Sequence, residues 1–144
     1  MSRKAPLRML GQYKKPRTKS RDLEHKEQCA FFDWCRLNEN KYPQLKWIFA
    51  IPNQGRRNPT IGARFKREGM KAGVSDVFVP VPFMYDYGDS MSGGLFIEFK
   101  YGKNKLTDAQ KDFQEEMQAR EYDVAVVYSS EEAIELVKNY LQIK

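Results

Sequence analysis

The chain has 144 residues, 41% apolar and 13% aromatic, which is enough for one domain with a real core and excludes wholesale disorder. Its longest uncharged apolar stretches, such as Val77–Met84, fall far short of the roughly 20 residues of a membrane span, and the basic, polar start lacks the apolar stretch of a secretory signal, so a soluble protein is expected. The net charge of +6 is uneven: residues 1–21 hold eight Lys and Arg and no acid, whereas 22–144 carry 17 basic and 19 acidic side chains. A basic, mobile arm over 1–21 ahead of one domain over 22–144 is the expected layout, with a polyanion as partner.

Along the chain, Leu23, Ala30, Phe31, Trp34 and Leu37 follow helical spacing, which predicts a helix from about Asp22 to Glu39. Cys29 and Cys35 fall on it; six helical residues rise roughly 9 Å, too far for a disulfide. His25 is the one histidine, which excludes a zinc finger, so reduced cysteines in the cytoplasm are the simplest expectation. Lys46–Ile51 reads as a strand, "PNQGRRNPT" as a turn-rich loop, and Thr60 as the cap of a short helix to about Met70. Ser75–Val81 and Gly94–Tyr101 read as strands around a polar loop, in which Tyr85 and Tyr87 are either stacking groups for bases or loop anchors. Thr107 starts a helix anchored by Phe113 and Met117. The β-branched run Asp123–Tyr128 resembles an interior strand, and Ser130 with Glu131 and Glu132 opens the last helix. Trp34 and Trp47 are expected in the core. The order α-β-α-β-β-α-β-α predicts a mixed α/β sandwich.

The strand "FIEFK" carries the chemistry. Alternation sets Glu98 and Lys100 on one face and Ile97 and Phe99 on the other, amid apolar neighbours where unpaired charges are costly. If the preceding strand pairs with it so that Pro80 faces Gly94, Asp76 stands opposite Glu98, with Cβ atoms roughly 4.5–5.5 Å apart. Two such carboxylates repel unless a cation lies between them, and hard oxygen ligands suit Mg²⁺ or Mn²⁺. Lys100 would stand beside the ion. A third acid comes from the first helix: Glu27, aligned with Ala30, Phe31 and Trp34, is favoured over Glu24. His25 is read as solvent-facing. A second basic cluster, Arg56, Arg57, Arg64, Lys66, Arg67 and Lys71, points to nucleic acid.

The segments "EHKEQ", "IPNQGRRN", "GMKAGVSDVFVP", "GLFIEFK" and "LTDAQKDF", in this order and spacing, resemble a VRR-NUC domain of the PD-(D/E)XK nuclease superfamily, of a stand-alone phage or prophage type, over roughly residues 22–143. The resemblance implies a restriction-endonuclease-like fold, with a mixed β-sheet flanked by α-helices. It implies Asp76 and Glu98 as ligands of Mg²⁺ or Mn²⁺, with the Phe99 carbonyl completing the set and the helical acid Glu27 (or Glu24) joining it. Lys100 matches the motif lysine and Gln110 the family's glutamine; the alternative for Gln110 is a helix-terminal residue bonding backbone. Asn53 and Gly55 match the loop beside the site. Ser75 departs from the proline common before the Asp. The implied activity is metal-dependent endonucleolytic hydrolysis of DNA, directed by shape at junctions or branches, by a homodimer.

Overall fold

Alternation along Leu95–Phe99 (β5) sends Leu95, Ile97 and Phe99 to one side, each at most 2% exposed. In a computed structural model, which describes residues 19–52, 59–85 and 90–144, this strand lies inside a four-stranded sheet. Val77 and Val79 of β2 (Val77–Val79) join the same fully buried layer. Two helices cover it. Phe31 of α1 (Lys19–Asn38) lies 6.1 Å, ring to ring, from Phe99, and Ala133 and Val137 of α4 (Ser130–Leu141) are completely buried in the same core. On the opposite face Phe96 meets Phe78 at 4.5 Å and, edge to face at 5.2 Å, Phe113 of α3 (Asp108–Ala119). The architecture is the expected α/β sandwich.

The sheet order is β1-β2-β5-β6, where β1 is Phe49–Ala50 and β6 is Asp123–Val127. β2 runs antiparallel to both neighbours, while β6 is parallel to β5, with α3 as the crossover. Beyond these, α2 spans Pro59–Arg67, and β3 (Phe83–Met84) pairs with β4 (Met91–Ser92) in a small separate ribbon. Among the described residues, no helix is long and apolar enough to cross a membrane.

Several boundaries differ from expectation. Helix α1 starts at Lys19, so Arg21, assigned to the arm, belongs to a folded helix. Pro43 opens a 3-10 turn, Pro43–Trp47, which takes Lys46 and Trp47 from the predicted strand, and β1 has only two residues. α2 closes at Arg67 rather than near Met70. The segment read as a plain polar loop contains the β3–β4 ribbon, held by Tyr85, whose hydroxyl donates to Asp123 at 2.5 Å; Tyr85 is therefore an anchor, and Tyr87 lies outside the described residues. β6 ends the sheet instead of lying inside it: its apolar run reflects helices on both faces, not strands on both sides. Leu37 is 82% exposed because the buried stripe runs through Phe31 and Cys35, and Leu37 lies about 200° around the helix from Cys35. Trp47, at the end of the 3-10 turn, is also exposed, with the Lys46 ammonium 5.9 Å from its ring.

One close approach sets the site. Gly73 has φ +87°, and a Cβ there would lie 2.2 Å from the Ala109 carbonyl oxygen. The backbone leading to Asp76 thus rests directly on the first turn of α3.

Candidate active site

The paired strands carry Val77↔Ile97, Phe78↔Phe96 and Val79↔Leu95, a register that continues to set Asp76 across from Glu98. Asp76 sits where β2 begins, after the buried Ser75, and its Oδ2 accepts from the Phe99 N–H at 2.8 Å. Glu98 is 3% exposed. Its Oε1 accepts from Gln110 Nε2 at 2.6 Å and lies 3.6 Å from Lys100 Nζ, whereas its Oε2 is buried with no hydrogen-bond partner among the described residues. Lys100 is itself buried, its N–H donating to the Val127 carbonyl as an extension of the β5–β6 ladder.

Gln110 bonds both to the backbone of its helix terminus and to the Glu98 side chain. Thr107 Oγ1 accepts from the Gln110 N–H, Gln110 Oε1 accepts from the Thr107 N–H, and the remaining amide nitrogen reaches Glu98.

The helical acid is placed differently from the expectation. Glu24 faces the site: its Oε1 accepts from the Tyr101 N–H at 3.2 Å and from Asn104 Nδ2 at 3.3 Å. Glu27, one turn on, turns instead to the N-terminus of α4, where its Oε2 accepts from the Ser130 N–H at 2.6 Å. A helix-terminal N–H and a favourable dipole account for its partly buried position without any ion.

These groups line an open cavity of about 690 Å³ at the end of β5, which includes Glu24, Asp76, Glu98, Phe99, Lys100 and Gln110. Burial, reinforced by the Asp76 charge and opposed by Lys100, pushes the Glu98 carboxyl up to about 8. Burial also raises Asp76, with the Phe99 N–H and Lys100 pulling it down and Glu24 adding to the rise. Among the described residues no three Asp, Glu, His or Cys side chains group closely enough to hold an ion by themselves. The chemistry of the Asp76 and Glu98 carboxylates would suit a divalent cation: hard oxygens, mutual repulsion, and a buried carboxylate oxygen without a partner among the described residues.

Sequence reasoning missed other members of the wall. Arg21, His25 and Gln28 line the cavity from α1, and Asn104 and Lys105 line it from the turn after β5. The spacing of Arg21, Glu24 and Gln28 is the polar stripe that signals such a face. His25 is exposed as expected, yet on the cavity side, with its Nε2 3.5 Å from Cys29 Sγ. Asn53 and Gly55 of the loop, and Arg56 and Arg57 of the basic cluster, fall outside the described residues. Arg64 pairs with Glu68 at 2.8 Å, and Lys66, Arg67 and Lys71 are exposed; none of these four lines the cavity.

A family profile described as the VRR-NUC domain matches residues 11–131. Among solved structures, a protein described as a VRR_NUC domain protein is similar, with a TM-score of 0.67 and 25% identity over 84% of this chain and 89% of the other. No curated protein sequence matches.

Proposed function

The chain belongs to the VRR-NUC family, a family of nucleases, and on that basis we propose that it is a divalent-metal-dependent DNA endonuclease that selects branched or junction DNA and works as a cytoplasmic homodimer. The observation that carries the reading is the cluster at the end of β5, in which Glu98 keeps one buried oxygen without a partner among the described residues while Asp76 stands across from it. Asp76, Glu98 and the Phe99 carbonyl would hold Mg²⁺ or Mn²⁺, with Glu24 at the edge of the set. When bound, such an ion polarises a phosphodiester and makes nearby water more acidic.

The protein's own groups do the rest. Gln110 holds Glu98 by Oε1 and so fixes the direction of its other oxygen. Lys100 cannot be a ligand in its charged form. Its buried ammonium orients the attacking water and stabilises the negative charge that builds on the phosphorus oxygens as the bond to the leaving group breaks. Asn53, Arg56, Arg57, Arg64, Lys66, Arg67 and Lys71 hold the flanking backbone, and the basic residues ahead of α1 add affinity without selecting sequence.

The test incubates labelled linear and four-way-junction DNA with Mg²⁺, Mn²⁺ or EDTA. Cleavage is expected only with metal and faster on the junction. Asp76→Asn, Glu98→Gln and Lys100→Ala should each lower it by about 10²-fold or more, while calorimetric Mn²⁺ binding is lost in the two carboxylate variants and retained in Lys100→Ala. Wild-type rates in the carboxylate variants would show that Asp76 and Glu98 are structural charges.

A further inference from the structure

The cavity places three carboxylates, Glu24, Asp76 and Glu98, where a polyanion is to react. Lys100 offsets part of this charge, lying against Glu98 and lowering Asp76, but it is one cation against three acids. Two further cations line the same cavity, Arg21 on α1 and Lys105 on the turn after β5, and neither has an ion-pair partner among the described residues.

Their placement follows from one clasp. Glu24 Oε1 accepts from the Tyr101 N–H and from the Asn104 side chain, which ties the first turns of α1 to the turn after β5. Arg21 is three residues before Glu24, so the two side chains neighbour each other on the helix face. Lys105 follows Asn104 directly. The clasp therefore brings two cations from segments some 80 residues apart to the same rim. Like charges gathered at one rim, with no ion pair to either among the described residues and beside a site proposed for a phosphodiester, call for an anionic ligand.

We propose that Arg21 and Lys105 form a phosphate-binding rim that holds the nucleic-acid backbone next to the bond being cut. The proposal rests on the nuclease reading for its substrate. Arg21 supplies a planar fork that grips a phosphate in two places, and Lys105 supplies a compact charge. Glu24 acts here as a positioning residue, through the turn that it holds. The rim sets affinity and placement, while the reaction itself stays with Asp76, Glu98 and Lys100.

The experiment measures binding of a labelled duplex to the full chain in EDTA over a range of salt, so that no cutting intervenes. Arg21→Gln and Lys105→Gln should each flatten the log–log salt slope by about 0.9, and the double variant by about twice that. Arg21→Lys should restore most of the slope. In Mg²⁺, each variant should raise KM several-fold and leave kcat within about twofold, the pattern of lost ground-state binding. Lys26→Gln, an exposed α1 cation that does not line the cavity, is the reference for a general loss of charge. Slopes no flatter than that of Lys26→Gln would overturn the rim. A wild-type protein that binds with the expected slopes but never cuts would instead overturn the nuclease reading and leave the rim standing.

Discussion

Glu98→Gln should change how the stability of the metal-free protein depends on pH. The Glu98 carboxyl ordinarily titrates near 4.5 and is pushed up to about 8 in the folded chain, mainly by burial and by the Asp76 charge. Between those values the folded state keeps a proton that the unfolded chain has released, so stability falls as pH rises. Below about 4.5 both states are protonated and the group costs nothing. One proton gives a slope of at most about 1.4 kcal/mol per pH unit, hence no more than about 3.5 kcal/mol between about pH 5.5 and pH 8. Relaxation around the charge reduces this, and about 2 kcal/mol is the expected loss. Asp76, also raised by burial, contributes with the same sign. The assay is urea unfolding in EDTA at the two pH values. Wild type should lose about 2 kcal/mol and Glu98→Gln almost none, since its amide does not ionise yet still accepts from Gln110. Millimolar Mn²⁺ should remove most of the wild-type loss by binding the charged form. Equal pH profiles for the two proteins, or a wild type that gains stability toward pH 8, would refute the reasoning.

Gly73→Ala should destabilise the fold by about 2 kcal/mol or more, measured by the same unfolding assay, because φ is +87° there and the new Cβ would press on the Ala109 carbonyl. Cutting should fall further than stability explains, as α3 and Gln110 move away from Glu98. A soluble thiol reagent should label one cysteine quickly in the native protein and two in urea: Cys29 is exposed, whereas burial pushes the Cys35 thiol up to about 12. Fast labelling of both in the native state would mean that the α1 core face opens readily.

The strand pair is legible in the sequence because both strands bury one alternating face, and a slip of one residue would turn Val77, Val79, Ile97 and Phe99 outward. That constraint fixes which face each strand buries but still allows slips of two residues, so the pairing of Asp76 with Glu98 comes from the register of the folded sheet. The helical acid is not legible in the same way. Glu27 does lie on a partly buried stripe, but its partner is a backbone N–H 103 residues away, on a helix whose docking no local pattern reveals. Glu24 looks like an ordinary polar residue until the turn at Tyr101–Asn104 folds back onto α1. Arg21 and Lys105 are hidden for the same reason, since each is one more cation in a basic stretch until the clasp closes. Elements covered on both faces mislead similarly, as β6 does: burial by helices and burial by strands leave the same apolar run.

Gln110 ties the helix terminus to the chemistry. A capping box needs a side-chain acceptor at this position, and the amide oxygen of Gln110 provides it by accepting from the Thr107 N–H at 2.9 Å. Glutamate would cap equally well. It would, however, set a third carboxylate against Glu98, where the glutamine nitrogen instead donates at 2.6 Å. The choice of Gln over Glu is thus explained by the site and not by the helix. Its consequence is an asymmetric Glu98: Oε1 receives Gln110 and faces Lys100, while Oε2 receives no donor among the described residues. Gln110→Glu should therefore preserve the α3 cap while weakening Mn²⁺ binding or displacing Glu98, and Gln110→Ala should lose both the cap and the orientation of the carboxylate. The two substitutions separate the structural from the functional half of one side chain.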